Sequence, residues 1–122
     1  MPGILVGGGP SLDKTIRYLP QVKEKAVLIA SDAALKPMLK HGVVPNFVIA
    51  LDPQEDITKF LIGVPHRGII LVAPTIVHPR VLDLWEGSVV FYNKFAPDIP
   101  TLVQIQKESL KVGILTPGGS VL

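Results

Sequence analysis

Three adjacent glycines, a proline and a serine, Gly7-Gly8-Gly9-Pro10-Ser11, directly follow the short apolar run Ile4-Leu5-Val6. Glycine lets the backbone take positive φ and lets a phosphate come within hydrogen-bonding distance of main-chain N–H groups. A helix opening after such a turn presents unpaired N–H groups and a partial positive charge, and both favour an anion. Pro10 pre-sets the helical φ, and the Ser11 hydroxyl either caps the helix or touches the phosphate. The competing reading is a tight strand-to-helix turn that holds no ligand. Two acids stand at matching places further on. Asp32 ends a second apolar run, 26–30, where nucleotide-binding folds carry an acid on the ribose hydroxyls, and with Ser31 it is also a good N-cap. Asp52 ends a third run, 47–51, with Pro53 stiffening the turn. It suits a ribose, a Mg²⁺ ion beside a phosphate, or a base, or else caps a helix starting near Gln54.

Other chemistries are poorly supplied. The third glycine of the dinucleotide fingerprint is Leu12 here, so an NAD-dependent oxidoreductase rests on Asp32 alone. No Gly-Lys-Ser/Thr follows the glycines, so there is no P-loop. His41, His66 and His78 are dispersed without metal spacing, and cysteine is absent, which removes thiolate ligands and favours a reducing, cytoplasmic setting. A net charge of +2 with scattered Lys and Arg predicts neither a nucleic-acid nor an anionic-membrane partner. The 48% apolar content lies in runs far shorter than the ~20 residues needed to span a bilayer.

The elements that must position these residues alternate. Strands are predicted over 4–6, 26–30, 47–51, 68–73, 88–92 and 112–115. Helices are predicted from Ser11 to a stop at Pro20, and over 33–41, 54–62, 79–86 and 101–109. Pro37 is awkward inside the second helix, whereas Pro79 is a natural first residue of the fourth. Strict alternation implies right-handed crossovers and an α/β fold. The expectation is a Rossmann-like three-layer sandwich on a mostly parallel sheet of five or six strands. Ligands of such sheets sit beyond the carboxyl ends of the strands, where the strand order reverses. The last turn, Thr116-Pro117-Gly118-Gly119-Ser120, stops two residues later. The 122 residues therefore read as one domain and as a fragment of a longer chain cut after Gly118-Gly119.

Gly7-Gly8-Gly9-Pro10-Ser11-Leu12-Asp13-Lys14, Ile29-Ala30-Ser31-Asp32-Ala33-Ala34-Leu35-Lys36 and the run from Pro45 to Asp52-Pro53 together resemble the motility accessory factor family, flagellin glycosyltransferase-like proteins. Gly118-Gly119-Ser120-Val121 is similar to that family's later glycine turn. The resemblance implies a fold related to bacterial sialyltransferases, a CMP-activated nonulosonic sugar as donor, and a protein acceptor such as flagellin. It places the donor's phosphate side on Gly7, Gly9, Pro10 and Ser11, with Gly8 in the same turn. Ser31 and Asp32 would line the nucleotide pocket with Asp52 nearby, and Gly118, Gly119 and Ser120 would close it. A related branch, the archaeal hydroxymethyl-dihydropterin diphosphokinases, transfers diphosphate from ATP with Mg²⁺, which would make Asp52 a metal ligand. A third alternative is a non-catalytic binding or scaffold domain, with a homo-oligomer formed through an exposed sheet face or edge.

Overall fold

The computed structural model describes residues 1–94 and 113–115. The α/β expectation holds. Six strands, β1 (Gly3–Val6), β2 (Val27–Ser31), β3 (Phe47–Ile49), β4 (Ile70–Pro74), β5 (Val89–Lys94) and β6 (Gly113–Leu115), form one sheet in the order β1-β2-β3-β4-β5-β6. Every neighbouring pair is parallel. The order is consecutive, so among the described residues no strand reversal creates the expected switch point, and β1 forms an edge.

Right-handed crossovers that always step the same way put their helices on one face. Accordingly α3 (Asp32–Lys40), α4 (Thr58–Leu61) and α5 (Pro79–Leu84) pack side by side. The strand residues turned towards them, Leu28, Ala30, Val48, Leu71 and Ala73, are fully buried with Leu35, Met38, Leu61 and Val81. Their neighbours on the opposite face, Ile29, Phe47, Ile49, Ile70 and Val72, are only half-buried. The described residues therefore build one helical layer of the sandwich completely.

Local chemistry sets the helix ends. α3 stops in a Schellman motif. Gly42 takes φ +74°, its N–H donates to the Leu39 carbonyl at 3.0 Å, and the Val43 N–H donates to the Met38 carbonyl at 2.9 Å. The buried Val43 then carries the chain back to the sheet. Pro37 lies inside α3 after all; packing of Ala34, Leu35 and Met38 outweighs its one missing donor. Pro79 opens α5 as expected.

The first crossover differs from its prediction. Instead of one helix ending at Pro20, the chain forms α1 (Leu12–Thr15), a 3₁₀ turn (Ile16–Tyr18) and α2 (Leu19–Val22). Pro20 sits in the first turn of α2, where its absent N–H costs nothing, so it starts a segment rather than closing one. The helix predicted over 54–62 is likewise a 3₁₀ turn (Glu55–Ile57) followed by α4. The helix predicted over 101–109 lies outside the described residues.

Strand entry is fixed by Asn46. Its Oδ1 accepts from the Leu28 N–H at 2.9 Å while its own N–H donates to the Leu28 carbonyl at 2.9 Å, locking the β2–β3 register before the strands begin. Because Leu71 is fully buried in the central strand β4, Leu71→Ala should lower unfolding free energy by about 2–5 kcal/mol in urea titrations.

Candidate functional site at the carboxyl edge

The glycine turn leaves β1 and rests on the start of α3. A Cβ on Gly8 would lie 2.7 Å from the Ala33 Cβ and 3.0 Å from the Ala33 carbonyl carbon. That contact is backbone against backbone, so only glycine fits at position 8. Gly7 and Gly9 have nothing within 4 Å of a modest side chain's first atom. None of the three takes positive φ, contrary to the sequence reading; the chain turns by other backbone angles, and the glycines serve close approach and open space.

The turn's own hydrogen bonds begin at Leu12, whose N–H donates to the Gly9 carbonyl at 3.0 Å; Asp13 and Lys14 donate to Pro10 and Ser11. The N–H groups of Gly8, Gly9 and Ser11 donate to no described residue. Ser11 occupies the N-cap position of α1 with helical dihedrals and no side-chain cap bond, so its hydroxyl is also available. Gly7, Gly9 and Ser11 line the mouth of a crevice of about 660 Å³. It runs down beside β1 against Leu12, Tyr18, Leu19 and Val22. Hollows lined by His66, Glu86 and Gly87 lie at the other end of the sheet, near the amino ends of β4 and β5. There His66 is structural: its ring stacks on Trp85 at 4.2 Å and its Nε2 meets the Leu61 carbonyl at 2.6 Å.

Next along the edge stand Ser31 and Asp32, both half-buried. Ser31 is the N-cap residue of α3 but makes no cap bond, and its buried Oγ has no partner. Asp32 accepts from the Ala33 N–H at 2.7 Å. Its carboxyl is held above the ordinary range, chiefly by desolvation and further by the Asp52 charge, against the opposing backbone hydrogen bond. Asp52 is exposed and its Oδ1 accepts from the Gln54 N–H at 2.9 Å, which shapes the turn into the 3₁₀ segment.

The far part of the edge brings together residues that were legible only as ones following strands. Tyr92 is buried and donates from its hydroxyl to the Ala50 carbonyl at 2.7 Å, bridging β5 to the end of β3. Desolvation, with the Asp32 charge second, pushes its phenol up to about 12, so it remains a donor. Thr75 Oγ1 donates to Asn93 Oδ1 at 3.0 Å. His78, the N-cap of α5, accepts from the Arg80 N–H at 3.2 Å, and Arg80 pairs with Glu55 at 3.2 Å. The loops after β3 and β4 are thereby tied together. Gly118, Gly119 and Ser120 lie outside the described residues.

A raised folded-state pKa means that ionised Asp32 opposes folding. The stability lost to its charge is absent below the ordinary 3.8 and appears as pH rises through the elevated value. Asp32→Asn, which keeps the acceptor for the Ala33 N–H, should therefore raise the melting temperature at pH 7. The gain should shrink towards zero in acid, a profile that melting curves across pH would show.

Comparison with known proteins agrees with this geometry. The 6-hydroxymethylpterin diphosphokinase MptE-like family matches residues 1–122. Two uncharacterized proteins of Treponema pallidum (strain Nichols) are similar. One is 32% identical over 81 residues, 66% of this chain and 14% of that protein; the other is 35% identical over 51 residues, 42% of this chain and 24% of that protein. Among solved structures, the MAf glycosyltransferase from Magnetospirillum magneticum AMB-1 superposes with a TM-score of 0.64 at 27% identity. That match covers 80% of this chain and 16% of the glycosyltransferase. The chain thus spans less than a quarter of the curated relatives it matches. The motility accessory factor-like resemblance is borne out, and no described helix is long and apolar enough to cross a membrane. A parallel sheet with a glycine turn packed on α3, matched along its whole length, establishes that the chain belongs to the 6-hydroxymethylpterin diphosphokinase MptE-like family.

Proposed function

We propose that this chain is the nucleotide-binding part of a cytoplasmic glycosyltransferase that uses a CMP-activated nonulosonic sugar, with a protein such as flagellin as acceptor. The observation that carries the reading is the set of unengaged amides of Gly8, Gly9 and Ser11 at the mouth of an apolar crevice. Transfer from a CMP donor leaves a phosphate, and donors fixed in place stabilise that charge without reorganising. The nucleoside lies in the crevice, where Tyr18 and Leu12 offer apolar surface. The phosphate takes the turn amides and the Ser11 hydroxyl, with Ser31 beside it. The sugar extends over Asp32 and Asp52. The solved glycosyltransferase of similar fold supports this assignment.

A second reading, diphosphate transfer from ATP to a hydroxymethyl-pterin, is favoured by the family match and by the proximity of Asp32 and Asp52. Each carboxylate has one oxygen engaged by a backbone N–H and one free, a set that suits a Mg²⁺ ion between them. Such an ion would neutralise phosphate charge.

Thermal shift separates the two readings. CMP should stabilise the chain by RT ln(1 + [L]/Kd) and more strongly than ATP; no shift with millimolar CMP sinks the sugar-transfer reading. AMP release from ATP in the presence of hydroxymethyl-pterin and Mg²⁺ would establish the second.

Two glycine variants test the cradle. Gly8→Ala should lower apo stability by about 1–3 kcal/mol, because Ala33 cannot move off its own helix. Gly9→Ala should stay within about 0.5 kcal/mol of wild type, since its Cβ meets nothing, yet weaken CMP binding by obstructing the approach of phosphate. Equal CMP affinity in Gly9→Ala and wild type would place the anion elsewhere.

A further inference from the structure

Asn93 is 3% exposed, near the end of β5, and only one end of its carboxamide is engaged. Thr75 Oγ1 donates to Oδ1 at 3.0 Å, whereas the buried Nδ2 has no partner. Leaving a buried donor unpaired costs as much as a hydrogen bond contributes, or more, so such a group calls for an explanation. The sheet register supplies its surroundings. Ile49 pairs with Val72, and Pro74 pairs with Tyr92. Continued past the strand ends, the same register sets Asp52 level with Thr75, and Thr75 level with Asn93. The three residues occupy one row across β3, β4 and β5, about 10 Å from end to end at two strand spacings.

The row has an alternating hydrogen-bond character. Asp52 Oδ1 is used by the Gln54 N–H, which leaves its other oxygen as an acceptor. Asn93 offers N–H donors from Nδ2, and Thr75 orients that amide from between. A hydroxyl is at once donor and acceptor, so a ring bearing several hydroxyls can donate to the carboxylate at one end and accept from the amide at the other. A phosphate cannot use the Asp52 end, and a purely apolar group would leave both ends unpaired. The row also lies on the β3–β5 side of the glycine turn, away from the crevice beside β1.

We propose that Asp52, Thr75 and Asn93 form a sugar subsite, with Asn93 Nδ2 donating to a hydroxyl or ring-substituent oxygen of the glycosyl group. The proposal rests on the nucleotide-sugar reading above and adds the residues that distinguish the sugar from the bare nucleotide. Asn93 is then a specificity-determining residue, and Thr75 a positioning residue that acts through it. Tyr92, whose hydroxyl is spent on the Ala50 carbonyl, holds β5 against β3 and so fixes the width of the row.

Calorimetric titration of the chain with CMP and, separately, with CMP-N-acetylneuraminate tests this, alongside melting of the ligand-free protein. Wild type should bind the nucleotide sugar more tightly than CMP. Asn93→Leu and Asn93→Asp should each lose about tenfold in affinity for the nucleotide sugar and nothing for CMP. Ligand-free Asn93→Leu should melt no lower than wild type, because it deletes an unpaired donor. If both variants keep the wild-type preference, or if both melt well below wild type or fail to fold, Asn93 serves the fold and the subsite is lost. If wild type binds neither compound, the nucleotide-sugar reading fails first and takes the subsite with it. Normal CMP binding with an unchanged sugar preference in the variants overturns the subsite alone.

Discussion

The contact between Gly8 and Ala33 is the constraint on which the carboxyl edge depends. Two backbones meet there with no room for a Cβ between them. The contact joins the first crossover to the start of α3, whose far side is anchored by fully buried Ala34, Leu35 and Met38. The position of the turn is therefore inherited from the core rather than set by the turn's own flexible bonds. With Gly8 wedged in place, Gly9 and Ser11 are held facing open space. Their N–H groups stay unengaged because the first turn of α1 already closes on the Gly9, Pro10 and Ser11 carbonyls. Preorganisation of this kind is what lets an anion bind without an ordering cost at the moment of binding.

That mechanism differs from the one the glycine run suggests by itself. The sequence reading invoked positive φ and a helix dipole. Neither applies strongly: the glycines keep negative or extended backbone angles, and α1 is a single turn broken from α2 by a 3₁₀ segment. Aligned peptide dipoles add up only along a continuous helix. What remains is local donor geometry and the absence of side chains at positions 7 and 9. The anion-binding argument survives on those two facts, and its electrostatic part becomes small.

Much of the architecture was legible because periodic apolar runs report buried strands directly. Residues 47–51 and 68–73 fall on β3 and β4 to within a few residues, and Gly42 and Pro79 mark a helix end and a helix start where the chemistry of each requires it. Pro20 misled because a proline is as suited to opening a helical segment as to following one, and only the packing of Leu19 and Ile16 decides between them. Strand order was not legible either. Alternation of strands and helices is the same for a consecutive sheet and for a reversing one, and the choice lies in long-range contacts. At the site, Asp32 and Asp52 announced themselves by type and position. Asn93 and Thr75 did not, since a polar residue after a strand is commonplace until burial shows that one of its atoms lacks a partner.

The consecutive order explains why chemistry spreads along the edge instead of gathering at one crevice. In a reversing sheet, two neighbouring crossovers diverge to opposite faces and open a cleft between them. Here each crossover packs on its predecessor, so α3, α4 and α5 close over one another. The loops after β2, β3 and β4 then form a row above the strand ends. Side-chain ties hold this row level: Asp52 to the Gln54 N–H, Arg80 to Glu55, and Tyr92 to the Ala50 carbonyl. The room left open lies at the free side of β1, where no described strand follows, and this is where the 660 Å³ crevice is found. An extended ligand, anionic at the glycine turn and polar along the row, matches that distribution of space and hydrogen-bonding groups better than a compact one. A compact ligand would leave either the turn amides or the Asn93 carboxamide unpaired.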